Sequence, residues 1–250
     1  MIRPNAAGGF EPAGSGVSPG SAASPRSGAF EQGAMSPVAE ESYRILRSRI
    51  DLSRLPRFSR DVTERVIHAS ADFDYATDLV CDEESLAEGV AALAAGVPVV
   101  ADSTMVAAGI AGSPVICKIG ESLTQRLART AYISRAAAAV RLAFGEVGPG
   151  AFWVVGGGAA ALAELLTRHV EPAFVIGLPA GFVGSVEVKD ALRASGLPSV
   201  SNVSEKGGPV IAVAAFSALL HSALGMTGSQ AGWGPDAPAA AAVADEDAGW

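Results

Sequence analysis

Cysteine and histidine are scarce in this chain, with two cysteines and three histidines among 250 residues. Cys81 and Cys117 cannot build a disulfide framework and match no metal-ligand spacing, so reduced thiols and no bound metal are the expectation. Positive charge is short as well. Lys and Arg number 18 against 26 Asp and Glu, a formal net charge of −8, and no basic patch carries interleaved aromatics. That pattern excludes nucleic acid as a partner. The longest apolar run, VIAVAAFSALL, falls short of a bilayer span, and the N-terminus has no apolar signal core. Together these absences lead to the expectation of a soluble cytoplasmic protein with no membrane partner.

What the chain does contain changes along its length. Residues 1–36 are rich in Gly, Ala, Ser and Pro without apolar periodicity, and residues 227–250, with their DEDAGW end, read the same way. Such composition cannot offset the entropy of ordering, so both ends are expected to be disordered tails, the second one acidic. Residues 37–226 remain as one domain. Within it, VAEESYRILRSRI, the segment around His68 and ESLAEGVAALAAG read as helices. Five short β-rich runs follow, VPVVA, PVICKI, AFWVV, AFVIGL and PSVSNV, each leading into a helical pattern. The longest such pattern is ESLTQRLARTAYISRAAAAVRLAF. This alternation implies an α/β fold: a doubly wound, mostly parallel five-stranded sheet with helices on both faces, preceded by an N-terminal helical section. Ligands of such sheets sit beyond the carboxyl ends of the strands.

The segment RVIHASADFDYA holds the first candidate site residue. From Asp61 to Ala76 the apolar Val62, Val66, Ala69 and Phe73 recur at helical spacing, and Asp61 with Glu64 suits a helix start. On that helix His68, Asp72 and Tyr75 share a face away from the apolar stripe. A carboxylate one turn from an imidazole favours the charged form and fixes the ring, which would make His68 a proton donor near neutral pH. The alternative is a surface histidine with an incidental aspartate.

Glycine-rich loops supply further candidates. VVGGGAAAL carries Gly156, Gly158 and Ala161 as G-x-G-x-x-A between a strand and a helix, the local context of dinucleotide binding. The next strand, AFVIGL, offers no acidic residue to hold a ribose. Gly156, Gly157 and Gly158 are therefore read as allowing close backbone approach to an anionic or planar ligand, with NAD(P) binding kept as an alternative. GLPAGFVGSVEVKD brings Gly181, Glu187 and Lys189 to the start of a helix, as a ligand loop or as a structural turn. Arg135 sits among alanines in SRAAAAV, which suggests a guanidinium pointing into a pocket. Ser42, Arg44 and Arg47 lie near the start of the domain, on a helix face of a kind that is ordinarily just solvated.

In this order, ESYRILRSRIDL, RVIHASADFDYA, VPVVADSTMVAAGI, SRAAAAV, VIGLPAGFVGSVEVKDAL and EKGGPVIAVAAFSALL resemble the precorrin-8 (cobalt-precorrin-8) methylmutases of corrin-ring biosynthesis. The resemblance runs from about Glu41 to Leu220. It implies an isomerase that moves a methyl group within a precorrin-8-type tetrapyrrole, a 1,5-sigmatropic shift giving hydrogenobyrinic or cobyrinic acid in cobalamin biosynthesis. It implies no cofactor, no protein-bound metal and a homodimer. The family's catalytic histidine corresponds to His68, which would protonate a ring nitrogen, and its pocket serine and arginine correspond to Ser42 and Arg135. Arg44, Arg135, Lys189 and the glycine loops would meet the acetate and propionate arms of the macrocycle. Asp72, Thr104, Gly181, Glu187, Gly207 and Gly208 complete the candidate substrate contacts. Two loops depart from the family's pattern. Where the family has IGNAPTAL this chain has VGGGAAAL, with Gly157, Ala159 and Ala160 in place of asparagine, proline and threonine. Its late GGS is here Gly207-Gly208-Pro209, with Ser204 in place of an earlier glycine. These departures keep open a non-catalytic corrinoid-binding paralogue.

Overall fold

The computed structural model describes residues 36–225. The expected tails lie outside the described residues, with one exception. Ser36 belongs to the fold: its hydroxyl accepts the Ala39 N–H at 3.2 Å and caps the first helix.

A helical section leads the chain, made of α1 (Pro37–Arg49), α2 (Arg57–Ser70) and the single turn α3 (Tyr75–Asp78). The sheet follows, with strands β1 (Leu79–Cys81), β2 (Val99–Ala101), β3 (Val115–Ile116), β4 (Phe152–Val155), β5 (Phe174–Gly177) and β6 (Ser199–Asn202). They lie in the order β1-β6-β5-β4-β2-β3, all parallel except β1 against β6. The remaining helices are α4 (Glu83–Ala94), α5 (Thr104–Gly109), α6 (Ser122–Thr130), α7 (Arg135–Val147), α8 (Ala159–Thr167), α9 (Ser185–Ala194) and α10 (Pro209–Ala223).

Alternation along β4 builds two cores at once, because successive side chains of a strand face opposite sides of the sheet. Phe152 and Val154 join Phe174, Ile176 and Phe216 on the side covered by α2, α4 and α10. Trp153 and Val155 face the other side, with Val140, Leu162, Leu165 and Leu192 from α7, α8 and α9. All four residues of β4 and of β5 are buried. Burial on both faces is why these strands read as unbroken apolar runs. Each such side chain contributes about 1.5–3 kcal/mol when fully buried. The central helix of the first side is α10, buried from Ile211 through Leu219. Among the described residues no helix is long and apolar enough to cross a membrane.

Three sequence expectations change here. The sheet has six strands, not five. The extra one, β1, is a three-residue antiparallel edge strand that is only partly buried, so it lacks the apolar run that marked the others. The His68 helix begins at Arg57 and ends at Ser70, where Ala71 turns left-handed at φ 55°. Asp72 is therefore not on it. The long alanine-rich pattern is two helices, α6 and α7, interrupted at Tyr132 with φ 52°. Ser134 starts the second by accepting the Ala137 N–H at 3.0 Å. Arg135 is thus the first residue of α7 rather than its middle.

That break has a measurable signature. Ser134→Ala removes a cap and is expected to lower stability by about 0.5–2 kcal/mol in urea unfolding. In an uninterrupted helix the same change would stabilise the protein, since Ala is the best helix former.

Candidate active site

The loops at the carboxyl ends of the parallel strands are tied to the protein itself. Asp102, directly after β2, accepts the amides of Gly156 at 3.2 Å and Gly157 at 2.7 Å. A Cβ on Gly157 would lie 2.8 Å from Ser103 Cβ and 2.9 Å from Asp102 Oδ2, so only glycine lets the loop come this close. Burial pushes the Asp102 carboxyl up, against the pull of the loop amides. The two amides expected to approach a ligand are thus engaged by an internal carboxylate. A dinucleotide pyrophosphate arriving there would face Asp102, which disfavours the NAD(P) reading.

The neighbouring loops lock in the same way. Gly208 N–H donates to Leu178 O at 2.7 Å, and Gly181 N–H donates to Glu205 O at 3.0 Å. Lys189, expected to meet substrate, is fully buried. Its ammonium donates to Asn202 Oδ1 at 2.9 Å, to Lys206 O at 3.1 Å and to Ser204 O, which uses all three of its protons. Burial holds its pKa below the usual lysine value. Lys189 is a strut under the loop after β6, not a hand reaching into solvent. Lys206 carries the loop's positive charge outside the core, and its ammonium binds Asp72 Oδ2 and Asp74 Oδ2, each at 2.7 Å.

Beside these loops, on the side of α10, lies a cavity of about 370 Å³. Arg65, His68 and Ala69 of α2 form one wall. Met105 and Gly109 of α5 face the start of α10, which presents Pro209, Val210, Val213, Ala214 and Ser217. The lining is apolar apart from Arg65, His68 and Ser217, whose hydroxyl donates to Val213 O at 2.9 Å. His68 stacks on Tyr43 of α1, ring centroids 4.5 Å apart and planes 8° from parallel. Arg65 donates through Nη1 to the Tyr43 hydroxyl at 3.1 Å and through Nη2 to His221 Nδ1 at 2.9 Å.

The electrostatics of His68 run opposite to the sequence expectation. Burial, and then the charge of Arg65, lower its pKa from the ordinary histidine value of 6.5. The same two causes push His221 down to about 4. Asp72 does not compensate. With the helix closed at Ser70, it lies beyond the left-handed turn, engages Lys206, and accepts the Asp74 amide at 3.0 Å. His68 is therefore a mostly neutral imidazole at neutral pH in the free protein.

The other sequence candidates lie outside this cavity. Ser42 donates to Val38 O at 2.8 Å, and the exposed Arg44 pairs with Glu41. Thr104, Arg135 and Glu187 are exposed at the first turns of α5, α7 and α9. A Cβ on Gly158 would meet no atom within 4 Å, so its outer side is open. Residues missed by the sequence reading include Tyr43, Asp102 and, most of all, Arg65. Arg65 stands three before His68, the spacing that puts two side chains on one helix face.

Comparison with known proteins bears on the fold and the family. Residues 37–222 match the family described as precorrin-8X methylmutase. The cobalt-precorrin-8 methylmutase of Methanocaldococcus jannaschii is 33% identical over 193 residues, covering 73% of this chain and 91% of that protein. The precorrin-8X methylmutase of a Sinorhizobium species is 33% identical over 199 residues, covering 75% and 94%. The crystal structure of the precorrin-8X methylmutase from Thermus thermophilus superposes with a TM-score of 0.68 at 30% identity, covering 76% of this chain and 98% of that one. By fold, by sequence and by the extent of both, this chain belongs to the precorrin-8X methylmutase family.

Proposed function

We propose that this chain is an isomerase of cobalamin biosynthesis, moving a methyl group between adjacent carbons within a precorrin-8-type tetrapyrrole, with His68 as the proton donor. The observation that carries the role of His68 is its position as the titratable imidazole of a cavity whose other walls are apolar. The flat macrocycle suits the wall formed by Met105, Val210, Val213 and Ala214, and a ring nitrogen comes within reach of the imidazole. A 1,5-shift breaks one carbon–carbon bond and makes another inside a single molecule. No leaving group or external nucleophile needs activation, so the help a side chain can give is a proton where negative charge builds, worth about 10²–10⁴-fold.

The proton must come from a histidine that is mostly neutral before substrate arrives. Burial is the first reason for that and the Arg65 charge the second, and a carboxylate arm of the substrate would bring negative charge to that end of the cavity. An opposite charge beside Arg65 offsets its effect on His68 and raises the pKa of the imidazole. The substrate thereby helps to charge its own acid.

The cavity lies at the low end of the roughly 300–1,000 Å³ that enclose drug-sized ligands. A tetrapyrrole fringed with acetate and propionate arms extends beyond it. Ser42, Arg44, Thr104, Arg135, Glu187 and the open side of Gly158 are the proposed contacts for those outlying parts. A homodimer would cover the exposed apolar Phe182 and Val183, which are 92% and 90% exposed.

Mixing the protein with a precorrin-8 preparation should change the visible spectrum with time. His68→Ala should fold, bind the corrinoid product within a few-fold of wild type, and lose about two or more orders of magnitude in turnover. Product binding without a time-dependent change would support a corrinoid carrier instead, and absence of binding would remove both readings.

The pH profile follows from the lowered pKa of His68. The acid must be protonated, so kcat/KM, which reports the free enzyme, should fall as pH rises through a midpoint below 6.5. The falling limb of kcat, which reports the bound state, should lie at higher pH. A kcat/KM limb centred above 7 would contradict this electrostatic assignment.

A further inference from the structure

Among the described residues the contact that sets the plane of the His68 ring is a stack on Tyr43. A working histidine is ordinarily held through one nitrogen by a carboxylate or carbonyl, which also selects its tautomer. Here the hold is a stacked ring.

Tyr43, only 6% exposed, lies against His68 with centroids 4.5 Å apart and planes 8° from parallel. The phenol ring is itself fixed from two sides. Its hydroxyl accepts from Arg65 Nη1 at 3.1 Å, and Arg65 Nη2 lies 2.9 Å from His221 Nδ1. A guanidinium can only donate, so Nδ1 of His221 accepts and its proton sits on Nε2. The guanidinium carbon of Arg47 lies 5.6 Å from the centroid of the Tyr43 ring. Glu64 holds Arg47 with two bonds, 3.0 and 2.7 Å long. Arg65 of α2 thus holds the phenol ring of α1 directly, and His221 of α10 braces that guanidinium.

We propose that Tyr43 is a positioning residue for His68: its stacked ring holds the imidazole in one plane, with the nitrogen-bearing edge left to the cavity. A proton donor that must meet one particular ring nitrogen depends on such a hold, and a misplacement of about 1 Å can cost roughly 100-fold in rate. The brace on Arg65 also explains the position of His221, which lies outside the set of residues that line the cavity. The kinetic part of this proposal rests on the methylmutase reading, while its geometric part does not.

Both parts can be tested on the full chain with Tyr43→Phe and Tyr43→Leu. In carbon-edited proton NMR of the free protein, the His68 ring protons, assigned by their loss in His68→Gln, should be shifted upfield by the stacked ring. That shift should persist in Tyr43→Phe and vanish in Tyr43→Leu. With a precorrin-8 preparation, Tyr43→Leu should lose about tenfold or more in kcat with KM within a few-fold, and Tyr43→Phe should keep most of the rate. An unshifted His68 resonance in the wild type overturns the proposal without any variant. Equal kcat for Tyr43→Leu and wild type, where His68→Gln is inactive, overturns it as well. If the wild type turns over no tetrapyrrole, the methylmutase reading fails, and the NMR shift still decides the role of Tyr43. If Tyr43→Leu does not fold, the wild-type shift and its persistence in Tyr43→Phe carry the decision.

Discussion

Arg65, a residue only 5% exposed, governs the site through its guanidinium. It joins α1 to α10 by donating to Tyr43 and to His221, and it puts a positive charge at the polar end of an otherwise apolar cavity. Hydrogen bonds of this charged kind contribute about 1.5–3 kcal/mol each. The same charge lowers the pKa of both histidines nearby, after the larger effect of burial. Structure and chemistry therefore share one group. The residue that fastens the wall also adds to the burial that lowers the pKa of His68.

The rest of the fold supplies a rigid frame for that arrangement. The amides and the ammonium that the sequence alone would assign to ligand are largely committed to the protein: Asp102 holds Gly156 and Gly157, and Lys189 holds the loop after β6. The glycines serve close packing. A Cβ on Gly207 would lie 2.4 Å from Leu178 O, and one on Gly156 would lie 2.7 Å from Ala212 Cβ. Tied in this way, the loops fix the start of α10, and with it the apolar wall opposite His68. The altered GGGAAAL and GGP segments are thus parts of the scaffold as much as of a binding surface.

The parallel sheet was legible because β4 and β5 are buried on both faces, so their sequences are apolar without alternation. Edge strand β1 left no such mark, and the α6–α7 break was hidden by alanines that favour helix on either side of Tyr132. The off-stripe position of His68 was legible, and a family resemblance singled the residue out. Its partner was not. Asp72 stands at the right spacing in the sequence, yet a single left-handed residue, Ala71, ends the helix and sends Asp72 to Lys206. Tyr43 and His221 come from elements 25 residues before and 153 residues after His68, and no local period reveals contacts of that range. Arg65 was within reach of the helical rule and carries more of the site's electrostatics than the aspartate did.

The central claim is that His68 is neutral in the free protein and is charged by its own polycarboxylate ligand. It is tested most directly by an NMR pH titration of the His68 ring, first alone and then saturated with hydrogenobyrinic acid. The expected result is a midpoint below 6.5 in the free protein that moves upward in the complex. A midpoint at or above 6.5 in the free protein, or one that does not move on saturation, would contradict the account.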